Sequence, residues 1–244
     1  TLRSEIRRCH LLSPGHANTG RFLYFAIMPR ERTKFTKSRP QSPDAPDASW
    51  RLFTGIAIDD AFRTSIESIL ALCAASDLPI RWISANAAHL TLQFIGEVPV
   101  ERAELLRMAF PTAAAELHPF SLRGDGAGAF PNLRKPQIIW IGLRGDLNPL
   151  NRTHLAIGKF LARYDLVADE EREFRPHITL GRARRPLESP EINQLQALMR
   201  SDEVRAHLTA IEAPMQITAV HLYRSILSRD GARYEVVATS RFRK

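Results

Sequence analysis

Two nearly identical tetrapeptides stand out in this chain: HLTL, beginning at His89, and HITL, beginning at His177, in a sequence with only eight histidines. In an extended strand alternate side chains share a face. His89 and Thr91 then point one way, with Leu90 and Leu92 the other; His177 and Thr179 oppose Ile178 and Leu180 in the same fashion. Each motif buries two aliphatics and presents an imidazole with a hydroxyl on the opposite face. If the two strands meet at a cleft, two imidazoles and two hydroxyls converge. Imidazole titrates near neutrality, so one ring can accept a proton while the other donates one. Hydroxyls can hydrogen-bond the non-bridging oxygens of a phosphate. Such a set suits phosphoryl chemistry that needs no metal. Arg182 would add a fork-shaped phosphate partner. It lies five residues after His177, an odd offset that an ideal strand would turn to the other face. A bulge, or the strand ending at Gly181, is needed to bring it back.

One histidine in a strand is more often structural than catalytic, and threonine favours strands in any case. The weight comes from a scarce residue recurring in one pattern in two strands. Rival constellations are missing from the sequence: no Gly-x-Ser-x-Gly elbow, no His-Glu-x-x-His, no Gly-Lys-Ser/Thr loop. The run GDGAG at Gly124 to Gly128 lacks the spacing of a dinucleotide fingerprint.

The elements that must carry these residues can be read from periodicity. RLFTGIAI (51–58) is apolar, β-branched and turn-bounded, hence a strand. A helix follows over 59–76, with Phe62, Ile66, Ile69, Leu70 and Cys73 at helical spacing and Asp59 or Asp60 as its cap. IRWIS (80–84) and HLTLQFIG (89–96) read as short strands, and 101–116 as a helix. FSLRGDGAGAFPN (120–132) reads as a strand broken by a glycine-rich bend, and QIIWIGL (137–143) as a strong strand. A helix over 147–163 carries Leu150, His154, Ile157 and Leu161 on one face. HITLGRA is a strand and 188–207 a helix. MQITAVHLYRSIL (215–227) and ARYEVVATSRF (232–242) are two strands joined by the hairpin signal SRDG. Hairpin connections and the lack of a glycine-rich strand-to-helix turn argue against a parallel doubly wound sheet. The expected class is α+β, antiparallel sheets with helices on their outer faces.

Phe94, in strict alternation from Gln93, is expected in the core with Leu90 and Leu92. Trp82 and Trp140 are expected in the core, with base stacking the alternative. Phe130, after the glycine bend, and Tyr223 and Arg224, in the last hairpin, are candidate groove residues. His154 is expected to be structural and His118 to lie in a loop; His207 and His221 have no motif partner.

The totals set outer limits. With 244 residues, 44% of them hydrophobic, the chain can bury a core without stapling. The formal charge of +8 favours a polyanionic partner or an anionic substrate and says nothing of fold. Residues 1–49 hold nine Lys and Arg against four Asp and Glu, with prolines at 40, 43 and 46. They read as a flexible basic extension before a domain over 50–244. It is either an unselected tail, with Met28 as an alternative start, or an RNA-attracting arm. Cys9 and Cys73 have no redox or metal spacing, and a reducing cytoplasm is the expected compartment. The apolar run FLYFAIM (22–28) is too short to span a bilayer and lacks a cleavage pattern, so neither membrane span nor secretory signal is expected.

With its flanks, the motif pair resembles a known family. RLFTGIAID, HLTLQFIGEV, GAFP, IIWIGL, FRPHITLGR and LYRSIL followed by YEVV occur in the order seen in the 2H phosphoesterase superfamily, over about residues 50–242. They are similar to its bacterial branch, the RNA 2′,3′-cyclic phosphodiesterases once called 2′-5′ RNA ligases. The resemblance implies a bilobal α+β fold with pseudo-twofold symmetry and one motif strand from each lobe in a central groove. It implies hydrolysis of RNA 2′,3′-cyclic phosphate ends to 2′-phosphate ends, with ligation through a 2′-5′ bond as a side activity. By similarity His89 is the proton donor and His177 the proton acceptor, while Thr91, Thr179 and Arg182 hold the phosphate. No metal or nucleotide cofactor is implied. The expected partner is an RNA with a cyclic phosphate end, for a monomer with no membrane or protein partner. Two other readings stay open. The same chemistry would serve small cyclic nucleotides, ADP-ribose cyclic phosphate or 2′-5′ oligonucleotides, and the same groove would serve a non-catalytic RNA- or nucleotide-binding module.

Overall fold

The computed structural model describes residues 49–166, 173–209, 214–228 and 231–243. The expected basic extension, apart from Ser49, lies outside them, as do Arg229 and Asp230 of the last hairpin turn. In chain order the elements are β1 (Ser49–Ala57), α1 (Asp60–Ala74), β2 (Ile80–Trp82), β3 (His89–Pro99), α2 (Val100–Ala109), β4 (Phe120–Phe130) and β5 (Ile138–Gly145). Then come α3 (Leu147–Ala162), β6 (His177–Ala183), α4 (Ser189–Met199), α5 (Asp202–Thr209), β7 (Met215–Ile217), β8 (Ala219–Ser228) and β9 (Gly231–Arg241).

The strands form one nine-stranded sheet in the order β7-β4-β5-β6-β3-β1-β8-β9, with β2 beside β6, and every pairing is antiparallel. The motif strands β3 and β6 are the central pair, joined at Leu90 and Ile178. On either side the order repeats: β1–α1–β3–α2 in one lobe matches β5–α3–β6–α4 in the other. This is the expected α+β fold, with its two lobes sharing one sheet. Each lobe also lends a helix to the other. The helix α1 leaves β1 and packs against α5 and β2, whereas α3 leaves β5 and packs against β3.

Local sequence explains most boundaries. Asp59 caps α1 by accepting from the Phe62 N–H at 2.8 Å, and Phe62, Ile66, Ile69, Leu70 and Cys73 form its buried stripe. The helix expected over 101–116 ends at Ala109, where Pro111 follows and a 3-10 turn (Phe110–Thr112) takes over. The single helix expected over 188–207 is two. A Glu188–Glu191 capping box starts α4, which ends at Met199 with Arg200 as its C-cap, and the Ser201 hydroxyl accepts from the Val204 N–H to start α5. The glycine-rich stretch does not break β4. The strand runs through it with a register shift between Asp125 and Ala127, where Gly126 takes φ +59°, a conformation glycine adopts without a Cβ penalty.

The strand expected over 215–227 divides at Thr218. β7 pairs with β4 at one end of the sheet, while β8 pairs with β1 and β9 near the other. A single residue spans at most about 3.6 Å, less than the spacing of two neighbouring strands. The sheet must therefore curl until its ends nearly meet. Phe242 closes the seam, its N–H donating to the Thr218 carbonyl and its ring stacking on Phe120 at 6.0 Å. No helix among the described residues is long and apolar enough to cross a membrane.

The core lies between the helices and the aliphatic face of the sheet, with Leu90, Ile139, Ile141, Ile178, Leu180 and Leu222 fully buried. Phe62 and Leu208 close over β4 at Gly124. Replacing Phe62 with Ala should lower the unfolding free energy by about 3–5 kcal/mol in a urea titration, since the ring is 1% exposed. A change under about 1 kcal/mol would contradict this packing.

Candidate active site

The register set by the Leu90–Ile178 bridge places His89 abreast of Thr179 and Thr91 abreast of His177. The two aliphatics of the bridge point into the core and are 0% exposed. Their neighbours must therefore face the groove, and His89, Thr91, His177 and Thr179 are all half-buried there. Facing residues on adjacent strands have Cβ atoms about 4.5–5.5 Å apart. Each imidazole thus sits beside the hydroxyl of the other motif.

Both rings are held in the same way. The Nδ1–H of His89 donates to the Ala87 carbonyl at 2.8 Å, and the Nδ1–H of His177 donates to the Arg175 carbonyl at 2.6 Å. Both acceptors lie two residues before the histidine. With Nδ1 committed to the backbone, the neutral ring keeps Nε2 as a free acceptor, the tautomer a proton-transfer pair needs. Aromatic rings wall each imidazole. His89 lies 4.8 Å from Phe53, 4.9 Å edge-on from Tyr234 and 5.7 Å from Tyr223, which stacks on Phe53. His177 lies 4.8 Å edge-on from Phe130 and 6.4 Å from Trp140.

Burial among these rings disfavours the cation and is the main reason that both histidines titrate below the ordinary 6.5, partly offset by their backbone hydrogen bonds. The remaining influence differs between them. His89 is lowered further by the charge of His177, and His177 by that of Arg182.

Two bulges decide what else reaches the groove. Between Trp140–Thr179 and Ile139–Gly181 the β5–β6 register slips by one residue at Leu180. The slip turns exposed Arg182 back to the His177 side despite its odd offset. β3 slips likewise at Leu92, between Gly55–Thr91 and Thr54–Gln93. Leu92 and Gln93 then both face the helices, where the Gln93 amide meets His154 at 3.3 Å. Phe94 swings out instead. It is 61% exposed and 6.1 Å from Phe53, so the expected core role does not hold. Strict alternation failed at the inserted residue.

Phe130 and Tyr223 do line the groove, at matching positions in the two lobes. Arg224 does not join them: as the cross-strand partner of buried Leu52 it faces the other side, its guanidinium 4.8 Å above the Trp50 ring. Trp82 packs against the core as expected, whereas Trp140 stands on the groove side near Phe130 and His177. Sequence reasoning gave Phe53 and Tyr234 no role. Phe53 had a visible signal, since alternation in RLFTGIAI sets it on the face opposite Leu52 and Ile56. Tyr234 depended on the β8–β9 register and had none. His154 is a structural bracket: its Nδ1–H donates to the Leu92 carbonyl at 3.0 Å while its ring stacks on Phe174 at 4.0 Å.

An NMR titration should find both His89 and His177 with midpoints below 6.5, and Arg182→Met should raise the His177 midpoint by removing a like charge. An unmoved His177 midpoint would place Arg182 outside the site.

Comparison with known proteins follows the same lines. The model of the 2′-5′ RNA ligase superfamily matches residues 59–228. Among curated proteins, the RNA 2′,3′-cyclic phosphodiesterase of Archaeoglobus fulgidus is 30% identical, the match covering 76% of this chain and 96% of that one. That of Aeropyrum pernix is 29% identical over 67% of this chain and 87% of its own. The crystal structure of E. coli LigT complexed with 3′-AMP superposes with a TM-score of 0.58 at 24% identity, over 80% of this chain and 99% of that one. It shares the fold.

Proposed function

The chain belongs to the 2′-5′ RNA ligase superfamily, and from that premise we propose that it hydrolyses RNA 2′,3′-cyclic phosphate ends to 2′-phosphate ends. The observation that carries this reading is the matched pair of imidazoles, each tethered at Nδ1 to the carbonyl two residues before it, on paired strands. Two rings with free Nε2 atoms on opposite sides of a phosphate form an acid–base pair. The curated relatives, named for this activity, support the substrate.

In the proposed step His177 takes a proton from water as the water oxygen attacks phosphorus. The bond from phosphorus to the 3′ oxygen breaks, and His89 delivers its proton to that oxygen. The phosphate stays on the 2′ oxygen, and the proton has in effect moved from His89 to His177, to be reset through solvent. Thr91, Thr179 and Arg182 would hold the non-bridging oxygens, where negative charge gathers in the transition state. The assignment of acid and base follows the family resemblance, and the charge of Arg182 beside His177 is in keeping with a neutral base there. With a 5′ hydroxyl in place of water, the same step would join RNA ends through a 2′-5′ bond.

The direct test is to incubate the protein with an RNA ending in a 2′,3′-cyclic phosphate, with and without EDTA, and to identify the hydroxyl that keeps the phosphate. The expected product is the 2′-phosphate, formed equally with EDTA. His89→Ala and His177→Ala should each lower the rate by about a hundredfold to ten-thousandfold while circular dichroism stays unchanged. Undiminished turnover in either variant would sink the mechanism.

The pH profile gives a second test. The pair works with His177 neutral and His89 protonated, so kcat/KM should be bell-shaped, with its maximum on the acid side of 6.5 because both rings are lowered. Arg182→Met raises the His177 midpoint, so the acid limb should move to higher pH.

A further inference from the structure

Beside β6, on the side where β3 has already diverged, lies the three-residue strand β2. Its register pairs Ile80 with Ala183, Arg81 with Arg182, and Trp82 with Gly181. Cross-strand partners project to the same side of a sheet. Ile80 and Gly181 are buried, whereas Arg81 and Arg182 are both exposed. Arg182 faces His177, so Arg81 stands next to it on the groove side.

Two like charges directly opposite each other on neighbouring strands are destabilising. Nothing nearby relieves this pair. Neither guanidinium has an ion-pair partner among the described residues, and Glu191 on the following segment is engaged by Arg185 through a bidentate pair. Yet the fold holds the two abreast with some care. The Ile83 N–H donates to the Leu180 carbonyl and the Arg184 N–H to the Pro79 carbonyl, both at 2.9 Å, pinning β2 at each end. Gly181 makes the approach feasible: a Cβ there would meet Trp82 at 2.7 Å and Ile80 at 2.8 Å. An unrelieved cationic pair built at the mouth of a phosphate site has the chemistry of a clamp for two anions.

We propose that Arg81 binds the next phosphodiester of the RNA chain, 5′ to the terminal nucleotide, while Arg182 holds the reacting phosphate. Arg81 is then the residue that distinguishes a polymer end from a mononucleotide. Guanidinium is suited to this position because its planar fork pairs with phosphate oxygens and keeps its charge at every working pH. The inference rests on the phosphodiesterase reading above, and its test must separate the two.

The test uses the full chain and Arg81→Gln and Arg81→Lys variants. Two substrates are compared, a short RNA ending in a 2′,3′-cyclic phosphate and adenosine 2′,3′-cyclic phosphate. Affinities for the corresponding 2′-phosphate products are measured in parallel. Arg81→Gln should lower kcat/KM and product affinity for the RNA by about five- to tenfold and leave both within twofold for the mononucleotide. The salt dependence of RNA binding should flatten by about 0.7 in log–log slope, the value for one single-strand phosphate contact. Arg81→Lys should recover part of the loss. An equal loss on both substrates would put Arg81 on the reacting phosphate and overturn the proposal, as would no loss on the RNA. If the unaltered protein turns over neither substrate, the phosphodiesterase reading fails. The two product affinities then still decide the role of Arg81.

Discussion

Leu90 and Ile178 meet across the middle of the sheet, and their contact fixes the whole site. Both are fully buried, so neither motif strand can rotate without exposing an aliphatic side chain of the core. Burial of a side chain this size contributes about 1.5–3 kcal/mol. The constraint on the reactive face is therefore set from behind. Once the bridge is made, His89 and Thr179 are neighbours, His177 and Thr91 are neighbours, and the groove lies over the pseudo-twofold axis. The helices that α1 and α3 contribute across the lobes brace this arrangement from the core side.

Much of this was legible in the sequence because alternation and helical spacing are local. The strand character of 177–183, the buried stripe of α1 and the pairing of His with Thr on one face all follow from residues a few positions apart. The bulges at Leu92 and Leu180 were not legible in that way. A bulge is a mismatch of length between two partners, so it belongs to the pair rather than to either strand. Arg182 needed such a bulge to reach the groove, and that requirement could be stated from its odd offset alone. Phe94 has the same offset from His89, but no reactive residue type drew attention to it. Thr218 shows the same limit. Nothing local in MQITAVHLYRSIL marks the point where the chain passes from one end of the sheet to the other.

The matched offsets make the symmetry of the lobes informative through its failures. Phe94 and Arg182 occupy equivalent places, five residues after their histidines, and both face outward. One lobe thus presents an apolar wall of Phe53, Phe94 and Tyr223 beside His89, and the other presents positive charge beside His177. The bulge carbonyls differ too. Leu180 accepts from a backbone N–H of the segment after β2, whereas Leu92 accepts from the His154 ring. A duplicated scaffold supplies two imidazoles alike, and its departures from symmetry give them different surroundings. The two imidazoles become distinguishable through that difference.

The one-residue link at Thr218 bears on how the protein is made. β1, near the start of the described chain, finds one of its two neighbours in β8, about 170 residues later. During synthesis the two motif strands leave the ribosome long before β8 and β9, which carry the Tyr223 and Tyr234 rings beside His89. A nascent chain that has completed both tetrapeptides still lacks one wall of its groove. The seam between the sheet's ends can form only when Phe242 is in place. The proposed site is thereby completed only after β8 and β9 have joined the sheet.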